Sequence, residues 1–203
     1  MANFTDLAGL AGVAGVSAAA VLLLPGIAGI TKPRLAALQG TVFVLMLIPL
    51  GALPLAGYVR GVTGDFSITT LVLVCCALLR PWFACTIEDF KTRRVSLVWI
   101  ALTGLVFYPL ALGMTAFDPY RLGYGDPQFV AELLLAASAA WIWKQHLIAS
   151  CIAFATLAWT VGWYESDNLW DYLLDPWVAM YALMALAYQG TKSFKARGGT
   201  HEI

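Results

Sequence analysis

Glu88-Asp89-Phe90-Lys91-Thr92-Arg93-Arg94-Val95 is the densest run of charge in the chain. Apolar segments flank it on both sides. Of the 203 residues, 61% are hydrophobic and only 12% are charged, against about 25% charged in a soluble domain. Mean hydropathy is +0.78. A basic cluster between long apolar segments marks the side of a bilayer on which its loop stays. Fixing that side assigns a side to every other loop.

Working outward from the cluster, apolar segments long enough to cross a bilayer recur along the whole chain. Downstream, one span covers about 96–117 and contains Pro109. Two shorter ones follow at 128–143 and 147–163, separated by Lys144-Gln145-His146, and a last one covers 177–190. Upstream, a span starts near Ser67 and continues to Ile87, interrupted at Arg80-Pro81. Before it come 35–58, with Pro49 and Pro54, and 7–30, rich in Gly and Ala. Prolines are tolerated in membrane helices because neighbours satisfy the freed carbonyls. Small residues let such helices pack closely. The expected fold is an all-α polytopic transmembrane bundle of about seven spans, or six if one short segment is re-entrant.

Seven spans put the termini on opposite sides. With the N-terminus outside, only Arg60 and Arg121 of the 12 Lys and Arg residues fall outside. The outer loops then collect Asp6, Asp65, Asp118, Asp126, Glu165, Asp167, Asp171 and Asp175. This is the positive-inside pattern, and the reverse orientation inverts it. Residues 1–191 read as one transmembrane domain and 192–203 as a short basic cytoplasmic tail. The chain should reside in a cell membrane of the bacterial inner-membrane type as a multi-pass protein. The segment Met1–Asp6 lacks a basic n-region, so the first span reads as a retained helix. Net charge is zero and no basic surface offers itself to nucleic acid. Cys75, Cys76, Cys85 and Cys151 lie in or beside apolar segments without CxxC spacing, as small buried hydrophobes.

Two pieces resemble the prepilin and preflagellin peptidases, which are membrane aspartyl proteases. Asp89-Phe-Lys-Thr-Arg-Arg-Val looks like the family's first aspartate followed by a basic turn. Gly123-Tyr124-Gly125-Asp126 fits its GxGD. By resemblance, Asp89 and Asp126 would be the catalytic pair, one activating water and the other stabilising the intermediate while the two share a proton. The charge pattern gives a competing expectation. A single span separates Asp89 from Asp126 and sets them on opposite faces, roughly 30 Å apart. Asp126-Pro127 is also a helix start, with Asp at N-cap and Pro at N1.

The outer loops hold a second constellation. Asp167, Asp171 and Asp175 fall four residues apart, and Trp163, Trp170 and Trp177 seven apart. On a helix these make two stripes, which suits an amphipathic segment lying at the interface. With Arg60, Asp65, Tyr120, Arg121 and Tyr124 they are the candidate residues for a partner or polar ligand, such as a headgroup, a sugar or a cation. The same residues suit a topological role, because acidic loops follow from the charge bias and tryptophans belong to the aromatic belt. Glu132 lies inside a predicted span, where a carboxylate is functional by default. His146 and His201 make no axial pair, so haem is not expected, and nothing points to a metal or other cofactor.

The leading functional expectation is a non-enzymatic accessory or assembly subunit, or a small carrier. Its partners would be the lipid bilayer and a second membrane protein or polar ligand at the outer face. A membrane aspartyl peptidase and a transferase acting on a lipid-linked substrate are the alternatives.

Overall fold

The computed structural model describes residues 4–82 and 90–198. Among them the fold is all-helical, apart from one two-residue antiparallel pairing of Pro49–Leu50 with Leu53–Pro54. The helices are α1 (Phe4–Ala20), α2 (Lys32–Leu47), α3 (Leu55–Thr63), α4 (Ile68–Leu79), α5 (Phe90–Ala111), α6 (Pro127–Ile142), α7 (His146–Thr160), α8 (Leu169–Leu173) and α9 (Pro176–Gly198). Short 3-10 turns follow α1 and precede α6.

The single span expected over 35–58 is divided. Pro49 and Pro54 cannot donate to a helical ladder, and each pushes the residue before it to extended backbone. Ile48 is accordingly extended, and the chain turns through Gly51 at φ 78° before α3 begins. The first span also ends early, because the chain leaves helical geometry at Leu24, directly before Pro25. α4 ends at Leu79, with Arg80 as its C-cap before Pro81. The boundary expected at residue 191 falls inside α9.

Packing follows the apolar faces. α1 lies against α2, α3 and α4; α4 and α6 lie against α7; α5 pairs with α9. α5 and α9 are antiparallel: Phe107 clusters with Val178 and Ala179, and Leu97 and Ala101 cluster with Ala182. α1 and α3 are antiparallel too, since Val13 meets Ala56 while Asp6 meets Arg60. The largest buried cluster joins Ala8, Ile68, Phe129, Ala155, Tyr164, Leu169 and Tyr172 near one end of the bundle.

Much of the remaining helix surface is apolar and exposed. Leu102, Leu105 and Val106 on α5, Leu134 and Leu135 on α6, Phe154 and Leu157 on α7, and Met180 and Met184 on α9 all face outward. Two stretches, Phe4–Leu23 and Thr92–Ala111, are long and apolar enough to cross a membrane, and each is only about a third buried. α4, α6 and α7 are apolar but shorter, roughly 18, 24 and 22 Å at 1.5 Å per residue.

Candidate functional site

Four stretches of chain meet at one end of the bundle: residues 4–6, 60–67, 118–127 and 161–177. Phe4 packs edge-on against Trp163. Tyr164 Oη donates to Phe66 O at 2.8 Å, Trp177 Nε1 donates to Thr63 O at 3.2 Å, and Trp170 Nε1 donates to Pro119 O at 2.9 Å. These are the loops that the charge pattern groups together.

Asp175 is the most enclosed carboxylate of this end, 4% exposed. It stands before Pro176 at the start of α9, and its Oδ1 accepts from Val178 N at 2.8 Å. Its Oδ2 accepts from Ser67 N at 2.8 Å and Ser67 Oγ at 2.7 Å, and also from the Thr70 hydroxyl. Ser67 is itself the N-cap of α4. One carboxylate thus receives donors from the N-termini of two helices, where the positive ends of both dipoles favour a negative charge. Thr69 Oγ1 reinforces the junction by donating to Leu173 O at 2.6 Å.

Arg60 forms the second junction. Its Nε and one terminal nitrogen grip Asp65 at 2.6 and 2.9 Å, and the other terminal nitrogen reaches Asp6 at 3.1 Å. The hydrogen bond to Asp65 is the main reason the guanidinium is held above its ordinary pKa. Partial burial opposes that shift, and Asp6 adds to it. The start of α1 is thereby tied to the α3–α4 loop.

The segment 163–175 does not form the amphipathic helix expected from its spacing. Only Leu169–Leu173 is helical. Asn168 caps that turn through Trp170 N, and Leu174 is extended. The expected stripes of Asp and Trp therefore separate. Asp171 accepts from Tyr120 Oη at 3.0 Å and Ser166 Oγ at 2.5 Å. Asp175 turns inward, while Asp167 is exposed and bonds Trp159 only through its carbonyl, at 2.7 Å. Trp170 stacks on Phe129 and leans on Phe107. Tyr172, fully buried, donates to the carbonyls of Tyr164 and Ser166. The segment caps the bundle end as a folded plug, because its apolar residues find a core to enter instead of lying flat at a surface. Burial is the first cause raising the phenol pKa values of Tyr120, Tyr164 and Tyr172. Asp171 adds to the shift at Tyr120, and Asp65 at Tyr164.

Of the candidate binding residues, Arg60 with Asp65 and Tyr120 with Asp171 and Trp170 are brought into two separate networks. Tyr124 is exposed and meets Tyr120 edge-on. Arg121 is exposed and makes no ion pair with a described residue. Glu132 faces outward on α6 and accepts from Gln128 Nε2 at 2.9 Å, so it does not line the bundle interior. Asp126 caps α6 through Phe129 N at 3.0 Å. Asp89 lies outside the described residues, as does Cys85. Among the described residues no group of three His, Cys, Asp or Glu is placed to hold a metal ion. Cys75 is exposed, Cys76 half-buried and Cys151 buried.

Sequence reading missed Ser67, Thr70, Asn168, Ser166 and Tyr108. The Tyr108 hydroxyl is buried on α5 without a hydrogen-bond partner among the described residues. Ser67 and Asn168 carried a signal, since each is a good N-cap type placed before an apolar run. Chemically, the carboxylates at this end serve mainly as caps and cross-links. The exposed Arg121, Tyr124, Glu165 and Asp167 are its outward polar groups.

No protein-family model, curated protein or solved structure matches this chain.

Proposed function

We propose that the chain is an integral membrane protein, a seven-span bundle with its N-terminus outside and its C-terminus in the cytoplasm. It acts as a non-enzymatic accessory or assembly subunit whose outer end presents a rigid acidic and aromatic surface to a partner membrane protein. The observation that carries the membrane reading is the belt of exposed Leu, Val, Phe and Met side chains around the helices. Soluble monomers rarely expose contiguous apolar patches of that extent. A core helix of a soluble protein would be mostly buried, whereas only 33% of the apolar stretch of α1 and 28% of that of α5 is buried. A removable leader would not be an integral part of the packing, yet Val13 and Ala14 of α1 are enclosed. α2 and the first turn of α3, residues 35–58, form the second span, which leaves Arg60 at the outer end. α4, α6 and α7 fall short of the hydrocarbon thickness of about 30 Å, which local thinning and aromatic anchors accommodate. Trp141, Trp143 and Trp163 stand at the ends of α6 and α7 as such anchors.

The subunit reading rests on how the outer carboxylates are used. Asp126 and Asp175 cap helices, Asp65 holds Arg60, and Asp171 holds Tyr120. A network bound this tightly favours a fixed surface over a moving gate. The peptidase alternative needs Asp89 beside Asp126. Phe90 opens the far end of α5, and its 22 residues extend roughly 33 Å toward the end where Asp126 sits.

Purification in mild detergent tests the subunit reading. A partner should co-elute at fixed stoichiometry, and Arg121→Glu with Asp167→Lys should release it without lowering membrane levels of the protein. A lone monomer that moves a solute across vesicles would overturn the reading.

A further inference from the structure

The hairpin of α6 and α7 carries a feature unrelated to the outer end. Between the two helices runs an open groove of about 440 Å³, within the range of ligand sites. Its walls are Ala137, Trp141 and Ile142 on α6 and Ser150, Ala153 and Phe154 on α7. Trp141, Ile142 and Phe154 are each more than half exposed, so the groove opens sideways into the apolar belt. Small residues make its floor and large ones its rims.

The groove ends at the turn Trp143-Lys144-Gln145. Lys144 takes a positive φ of 59°, which lets the chain reverse in so few residues. His146 packs edge-on at 4.7 Å against Trp141, which is itself a wall of the groove. Gln145 occupies the N-cap of α7 without a side-chain cap, so the first turn of that 15-residue helix keeps its backbone donors. From residue 133 to residue 164 the sequence holds no acid, and Lys144 is the sole Lys or Arg. An apolar slot thus terminates in a cation, an imidazole and the positive end of a helix dipole. The exposed Trp141 and Trp143 flank it, and indole is the side chain that favours the headgroup region.

We propose that this groove seats one acyl chain of an anionic phospholipid, with the lipid phosphate held at Lys144 and the first turn of α7. Charge complementarity selects the occupant. A transmembrane helix of a partner would fill the slot but would bring no anion to Lys144. A zwitterionic lipid would fill it too, while its ammonium offsets the phosphate. The inference rests on the membrane reading above, and it places the turn 143–145 on the cytoplasmic side, where anionic lipid supplies a negative surface potential.

The test is native mass spectrometry of the full chain in detergent, titrated with phosphatidylglycerol or phosphatidylcholine of identical acyl chains. One phosphatidylglycerol should bind about fivefold more tightly than phosphatidylcholine, the increment of one basic residue at a lipid headgroup. Lys144→Gln should bring the two affinities together by weakening only phosphatidylglycerol. Ala153→Trp, at an exposed position of the floor, should fill the groove and abolish tight binding of both. If that variant does not yield protein, Lys144→Gln alone decides. Equal affinities in the unaltered protein, an unchanged preference in Lys144→Gln, or a partner helix cross-linking to Ala153→Cys in place of lipid would overturn the proposal. Alkaline carbonate extraction separates the two levels. Release from the membrane refutes the membrane reading itself, whereas retention without lipid preference refutes only this inference.

Discussion

Replacing Asp175 by Ala removes the acceptor at which α4 and α9 are joined. Four donors lose their partner: the Ser67 and Val178 amides and the Ser67 and Thr70 hydroxyls. The site is 4% exposed, so water cannot replace the carboxylate without local opening. A lost N-cap costs about 0.5–2 kcal/mol, and each buried donor left unsatisfied costs about 1–3 kcal/mol. Partial relaxation keeps the total below that sum, and about 3–5 kcal/mol is expected, as for a broken buried charge network. At about 2–4 °C per kcal/mol for a chain of this size, the midpoint should fall by roughly 10 °C. Intrinsic fluorescence in detergent reads it, since Trp170 and Trp177 flank the junction. Asp175→Asn should cost less. Its amide oxygen can serve Ser67 and Thr70, but its NH2 then faces the Val178 amide, donor against donor. Ser67→Ala combined with Asp175→Ala should show a coupling above about 1 kcal/mol. Wild-type stability in Asp175→Ala, or strict additivity in the pair, would refute the junction.

The charge pattern made much of this end legible. Asp6, Asp65, Asp126, Asp171 and Asp175 do gather at one end, because alternating helices return every second loop to the same side. The helix starts at Asp126-Pro127 and Asp175-Pro176 were readable from local chemistry alone. What failed was periodicity over 163–175. Spacings of four and seven are compatible with a helix but do not require one. Pro176 forces Asp175 out of helical geometry, and Asn168 caps a turn of its own, so the stripes come apart. The Ser67–Asp175 contact spans 108 residues, and no local pattern encodes a pairing at that range. Residue spacing places Glu132 along α6 but does not say which way it faces, and the fold turns it outward beside Gln128. Pro49 and Pro54 carry the signal for the division of the second span, because each lacks the donor a helix needs there.

Other outcomes follow from the same contacts. Gly9→Ala would place a Cβ 2.6 Å from Arg60 Nε, so it should displace the Arg60–Asp65 pair and cost about 1–3 kcal/mol, measured as a lowered midpoint. Gly123→Ala would sit 2.7 Å from Asn168 Cγ and 2.9 Å from Trp170 Cδ1. It should loosen the 163–175 plug, read as faster proteolysis within that segment. The raised phenol pKa values of Tyr120, Tyr164 and Tyr172 give a pH dependence with a definite sign. These groups stay protonated in the fold while unfolded tyrosines ionise near about pH 10. Their contribution is intact below that pH and falls as pH rises above it. Thermal midpoints should hold steady from about pH 7 to 9.5 and drop beyond about pH 10, with a shallower drop in Tyr164→Phe.

The central proposal, a seven-span bundle that carries this network at its outer end, is tested most directly by labelling single cysteines in a background lacking the four native ones. Val62→Cys, Arg121→Cys and Glu165→Cys should react with a membrane-impermeant maleimide in intact cells. Thr31→Cys and Lys144→Cys should react only after the membrane is opened. Labelling of Arg121→Cys and Lys144→Cys from the same side would contradict the account.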